Sequence, residues 1–293
     1  MNELSNIVFH PNYIFLRQAF LVGAMASLSF GIIGSFVVVR RIGYLAGAIS
    51  HCAFGGIGIG IYCKHAAIVA GMTTLGGLLG PLVGAVVFAI LSALLVGYVQ
   101  LHANEREDSI IGAIWAIGMA IGILFLNATP GYQAEVTNYL FGDILMISNF
   151  GAMLVGVFGL IVLLVTAVFF KRLEAVCFDE EYLRLRGMNA GFYFQLMLVL
   201  VAVSVVLMIQ LVGIILVIAL LTLPAATAAR MTARLFSMAC VATVLCLFYI
   251  WVGLLISTVF DLASGPVIIL AAGAGYVLVL IGSSIPESKS KEL

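Results

Sequence analysis

Charge is what this chain of 293 residues has least of: its 13 Lys and Arg and its 13 Asp and Glu together make up 9% of it. Average domains carry about a quarter charged residues. With 64% hydrophobic residues and a mean hydropathy of +1.25, the composition excludes a soluble globular protein. Net charge is zero and no basic tract is present, so nucleic acid is excluded as a partner. Cysteine is sparse and odd in number: Cys52, Cys63, Cys177, Cys240 and Cys246 are scattered and form no C-x-x-C. That excludes a zinc knuckle and a disulfide framework, and leaves these residues as small buried apolar groups. No G-x-x-x-x-G-K-[ST] phosphate loop occurs, so the chain does not hydrolyse ATP itself. Neither H-E-x-x-H nor G-x-S-x-G is present, so nothing supports membrane-enzyme chemistry. Strand-length alternation is missing as well, which leaves a helical bundle as the spanning structure. The opening MNELSNIVFHPN lacks a positive n-region and a small-residue cleavage site, so no cleavable leader is expected.

What the chain does have is a series of apolar runs near the roughly 20 residues that cross a bilayer as helix. Spans are expected at about 14–39, 45–62, 82–99, 109–126, 150–170, 238–260 and 267–281. Residues 66–79 are expected as an interfacial or partly re-entrant helix, set off from the third span by Gly80-Pro81. The run from Phe192 to Ala229 is too long for one pass. A tight turn at Gln210-Leu211-Val212-Gly213 would divide it, with Pro224 breaking the second half near its end. The reading is all-α: one transmembrane domain over 1–293, a polytopic bundle of about 8–9 spans, with a charged inner loop at 171–189.

Sidedness follows from the basic residues. With Arg40-Arg41 inside and strict alternation, eleven of the thirteen Lys and Arg fall on the inner side, leaving Arg17 and Lys64 outside. This sets the N-terminus outside and the C-terminus inside, and it requires two passes between 192 and 229.

Within this apolar chain His51 stands out, because an ionisable group in a membrane span is costly and marks a functional site by default. Neutral imidazole ligates zinc well and manganese or iron acceptably. The plain alternative is a histidine hydrogen-bonded to a neighbouring helix. One histidine cannot hold a divalent ion alone, so partners would come from other helices or a second subunit. Glycines 55, 56, 58 and 60 permit close helix approach or widen a pathway. Cys63-x-His65 has the spacing of a capture site at an outer mouth, against which stands Lys64 between them. Glu135, Asp143 and Asp261 fall in outer loops, where a carboxylate attracts entering cations or simply meets solvent. The segment ARMTARLF (229–236) reads as a short helix across the inner surface, with Arg230, Thr232 and Arg234. It suits either an external motor or an ordinary positive inner loop.

Five stretches, in order, resemble the membrane subunits of zinc/manganese/iron ABC importers. They are RRIGYLAGAISHCAFGGIGIG (40–60), REDSIIGAIWAIGMAIGIL (106–124), NYLFGDILMIS (138–148), QLVGIILVIALLTLPAATAARMTARL (210–235) and DLASGPVIIL (261–270). The resemblance implies a multi-pass permease in a bacterial inner membrane, paired with a second copy of itself. It implies two cytoplasmic ABC ATPase subunits, an extracytoplasmic metal-binding protein, and alternating access driven by ATP. The ion would be cargo, with no cofactor bound permanently. His51 would be the metal residue, with Asp143 and His65 as weaker candidates, and 229–236 the segment that docks on the ATPase.

One position departs from the family pattern. An aspartate commonly stands four residues before the histidine, one helical turn away on the same face; here that residue is Gly47. Losing an anionic ligand makes zinc more plausible than manganese. A site built from two His51 copies across a dimer axis is the working expectation. Gly47 also keeps open a permease for a chelated or organic substrate. A motor-independent secondary transporter is the other alternative, disfavoured because its intramembrane carboxylates are absent.

Overall fold

The computed structural model describes residues 14–71, 80–102, 107–130, 139–140, 142, 144–214 and 217–284. Among these residues all regular structure is helical. The helices are α1 (Ile14–Arg40), α2 (Gly43–Val69), α3 (Pro81–His102), α4 (Glu107–Asn127), α5 (Asn149–Phe178), α6 (Glu180–Leu185), α7 (Ala190–Val212), α8 (Val217–Met231), α9 (Leu235–Phe260) and α10 (Ser264–Ser284). A single 3₁₀ turn (Ile144–Met146) precedes α5. Eight of the helices are long and apolar enough to cross a membrane, and α8 is a shorter apolar helix. At 1.5 Å per residue, the 27 residues of α1 reach about 40 Å, more than the roughly 30 Å hydrocarbon core requires.

Sharp turns separate the helices where the sequence supplies a terminator. α1 ends at Arg41, whose φ of 61° is left-handed. The Arg41 amide bonds Val38 O at 3.1 Å and the Ile42 amide bonds Val37 O at 3.0 Å, a closure that satisfies the last carbonyls. α2 runs on to Val69 instead of stopping at Tyr62. Nothing in Ala66-Ala67-Ile68 breaks it, and the chain turns only at Gly71, with φ 77°. The start of the expected 66–79 helix therefore belongs to α2, while 72–79 lie outside the described residues. Pro81 opens α3, where its missing N–H costs nothing.

α2 lies between α3 and α4, and glycine backbones make both seams. A Cβ on Gly56 would lie 2.1 Å from Gly84 O, and one on Gly60 would lie 2.7 Å from Gly80 O, so α2 and α3 run antiparallel. A Cβ on Gly55 would lie 2.7 Å from Gly118 O, and one on Gly58 would lie 2.6 Å from Gly122 O, so α2 and α4 run parallel. Close backbone approach of this kind drives helix association in lipid, where burial from water no longer does. The glycine file is a packing seam, and the space it frees is filled by neighbouring backbone rather than by a pathway.

The second half of the bundle groups α8, α9 and α10 with α1, and α7 links the two halves by packing on α1, α2, α3 and α5. α1 and α7 are the most enclosed spans. The run 192–229 does divide where expected: α7 ends at Val212, and Gly213 turns at φ 81°. That backbone geometry favours glycine. Pro224 does not break α8, which continues to Met231. Helices α1, α9 and α10 pack against α8, and Pro224 is buried within it, a setting in which membrane bundles tolerate proline.

The charged stretch 171–189 is not an open loop. α5 carries it as helix to Phe178, and Asp179 caps α6 by accepting from the Tyr182 amide at 2.9 Å. Asn189 then caps α7 through the Phe192 amide at 3.1 Å. Glu180 pairs with Arg40 at the end of α1, and Arg184 stands 3.9 Å from its other oxygen. Both partners of the first pair are only about 30% exposed, so it ties α1 to α6 more firmly than an open surface pair. Glu180→Gln is expected to lower stability by about 1 kcal/mol, the upper end for partly exposed pairs, read as a fall in thermal midpoint in detergent.

Candidate metal site

His51 sits in the third turn of α2, 7% exposed. Its ring stacks on Trp115 of α4, with centroids 4.6 Å apart and planes 22° from parallel. Parallel running of α2 and α4 brings these two residues to one depth. The imidazole Nδ1 is buried and has no hydrogen-bond partner within the chain. Buried polar atoms are nearly always paired, so this nitrogen is open to a partner from outside the chain. The adjacent Ser50 hydroxyl donates back to its own helix, to Ala46 O at 2.9 Å and Gly47 O at 2.8 Å.

The other candidate residues lie elsewhere in the chain. His65 is on the same helix, fourteen residues further, which at 1.5 Å per residue puts it about 21 Å away. Because α2 is helical through both, Cys63 and His65 project about 200° apart and cannot chelate one ion from a common face. Asp143 and Glu135 lie outside the described residues. Asp261 ends α9 in a left-handed conformation, φ 52°, as a turn residue. Among the described residues no three His, Cys, Asp or Glu come close enough to hold a metal ion. All five cysteines are free, as their scatter implies.

The segment 229–236 also differs from its expected form. It is the end of α8 followed by a bend into α9, not a separate surface helix. Thr232 closes α8 by donating to Ala228 O at 2.9 Å. The corner leaves Arg230, Met231, Arg234 and Phe236 exposed, a basic and apolar knuckle.

Trp115 is the neighbour of His51 that sequence reasoning missed. Tryptophan in membrane spans concentrates at the two interfaces. One of the chain's two tryptophans lying inside the fourth span was the available signal. Gly47 gains its meaning here too. A Cβ added there would lie 2.5 Å from Ile218 Cδ1 and 2.9 Å from the Trp115 ring.

Comparison with known proteins fits this architecture. The ABC 3 transport family matches residues 12–283. A probable metal transport system membrane protein of Chlamydia trachomatis is 34% identical over 266 residues, covering 91% of this chain and 88% of that one. The manganese transport system membrane protein MntC of Halalkalibacterium halodurans is 30% identical over 284 residues, covering 96% and 92%. Among solved structures, PsaBC from Streptococcus pneumoniae in complex with Fab matches with a TM-score of 0.80 at 26% identity, covering 95% of this chain and 94% of that one. Eight spanning helices, their order and these whole-length matches lead to one conclusion: the chain is a multi-pass membrane protein and belongs to the ABC 3 transport family.

Proposed function

We propose that this chain is the membrane-spanning subunit of an ATP-driven importer of divalent metal ions. Two copies would form the pathway, cytoplasmic ATPases would drive alternating access, and an outer ion-binding protein would deliver the cargo. The observation that carries the reading is the whole-length likeness to PsaBC. The relatives named for metal and manganese transport support the class of cargo. His51 is the residue we assign to the ion, since it is buried, unpaired at Nδ1 and held on a rigid seam. A site completed by the His51 of a second copy would supply the donors that the described residues of one chain lack, and it would require the ring, 7% exposed within one chain, to be uncovered at the shared axis.

The test is uptake into proteoliposomes holding this chain with its ATPase, using radiolabelled zinc, manganese and iron(II). ATP-dependent uptake that disappears without the ATPase is expected. Uptake that continues without it would support the secondary-transporter reading instead. The exposed corner at Arg230 and Arg234 is where we place ATPase docking. The charge reversal Arg230→Glu with Arg234→Glu is expected to cut co-purification of the ATPase and uptake together, by about tenfold or more, since like charges at an interface cost several kcal/mol. Undiminished co-purification would move the docking surface elsewhere.

A further inference from the structure

Gly47 and Trp115 share one volume. Gly47 stands one helical turn before His51 on the same face of α2. It is where a carboxylate would reach the same ion. In this chain a side chain at 47 would start 2.9 Å from one indole carbon and 3.1 Å from the next, with Ile218 Cδ1 at 2.5 Å on the other side. No aspartate fits there while the indole stands. The indole in turn lies flat on the His51 ring.

We infer that Trp115 keeps an acidic ligand out of position 47 of the ion site. It occupies the space of an anionic ligand and leaves a site that takes its ion through the His51 nitrogen with no carboxylate beside it. The inference rests on the assignment of His51 as an ion ligand and names which ions that ligand then prefers.

Three observations support it. The stack covers a face of the imidazole, whereas the nitrogen lone pair lies in the ring plane, so Trp115 fixes the ring without taking the donor. Nδ1 is indeed left buried and unpaired. The negative charge is not replaced from next door: α2, α3 and α8 contain no Asp or Glu, and α4 has them only at its first two residues, two turns before Trp115. A donor set of imidazole nitrogen without carboxylate favours zinc and iron(II) over manganese. Nitrogen affinity rises from manganese through iron toward zinc, and manganese is the ion best suited by carboxylate, carbonyl and water. Desolvation adds to this, since a bare divalent charge in a low-dielectric span needs either an anion or strong neutral donors.

The experiment compares four forms in proteoliposomes with the ATPase: the natural chain, Gly47→Asp, Trp115→Ala and the double variant. Each is given radiolabelled zinc and manganese in competition. Gly47→Asp alone is expected to lose about tenfold or more of its uptake, because the carboxylate has no room and disturbs the imidazole. Removing the rigid indole opens one side of position 47 and the flexible end of Ile218 can turn away on the other, so the double variant regains uptake, and its manganese-to-zinc ratio rises about tenfold over the natural chain. Trp115→Ala alone leaves the ratio favouring zinc. The inference is overturned if the double variant is no better than Gly47→Asp, if it recovers without a change of ratio, or if Trp115→Ala alone raises the ratio. Should Gly47→Asp fail to assemble, the ratio of the double variant against Trp115→Ala decides the question. Failure of both aspartate forms to assemble counts against the exchange. His51→Phe separates the two levels: full uptake in that variant defeats the His51 assignment itself. Lost uptake there with no rescue in the double variant defeats only the role of Trp115.

Discussion

Gly84→Val is expected to give a protein that no longer assembles as the native bundle. Its Cβ would lie 2.0 Å from Gly56 O, 2.8 Å from Gly56 C and 3.3 Å from Gly60 Cα. All three neighbours are backbone of α2, so no rotamer change relieves the contact. The helices themselves must separate. Overpacked sites typically cost about 1–3 kcal/mol when side chains can give way, and a contact between two main chains belongs at or above the top of that range. The damage spreads, because α2 is held from both sides. Moving it off α3 also strains the Gly55–Gly118 and Gly58–Gly122 contacts with α4. The control is Gly273→Val on α10, where an added Cβ meets nothing within 4 Å. Size-exclusion chromatography and thermal midpoint in detergent read the difference. A Gly84→Val protein within about 2 °C of the natural chain, while 1 kcal/mol is worth roughly 2–4 °C at this size, would mean the seam is loose and the parallel and antiparallel packing of α2 is wrongly placed.

That seam shows how far the sequence could be read. The long spans were legible because an uninterrupted apolar run of helix length has few alternatives in a bilayer. The turn at Gly213 was legible too, since the apolar run 192–229 is too long for one helix across a bilayer, although only α7 within it has spanning length. The chain's ambiguity lay where local sequence permits more than one outcome. Residues 63–69 continue α2 because nothing in them breaks a helix, although their polarity suggested a surface. Residues 171–178 extend α5 because Lys, Arg and Glu are good helix formers once outside the lipid. Pro224 stays helical inside α8, which packs against three other helices, a tertiary setting that no local pattern contains.

The candidate site divides in the same way. His51 was visible as an ionisable residue in a span. The absence of a carboxylate at 47 was visible as a departure from a family pattern. What filled the vacated space was not visible, because Trp115 lies 68 positions away and meets His51 only once α2 and α4 run parallel in one register. His65 belongs to a different depth of the bundle, since one unbroken helix holds it about 21 Å from His51.

His51→Phe is expected to lower metal uptake by at least about tenfold while leaving the assembled protein intact. Loss of supporting groups at metal sites already costs 10–100-fold, and a direct ligand should cost no less. Phenylalanine is the informative replacement because it keeps an aromatic ring on Trp115. Aromatic stacking is worth about 0.5–1.5 kcal/mol beyond burial, so His51→Ala would lose that contact and open a cavity, mixing a packing defect with the loss of the donor. His51→Phe removes the nitrogens and keeps an aromatic ring, at the cost of a slightly larger one. If the stack were the purpose of His51, the phenylalanine variant would transport normally and the alanine variant would not. If the nitrogen is the purpose, both fail, and they fail alike in metal-dependent ATPase stimulation while the thermal midpoint falls only for alanine. The unpaired Nδ1 favours the second outcome. A packing role gives no reason to bury an unsatisfied polar atom, at a cost of about 1–3 kcal/mol, where a phenylalanine would have packed without it.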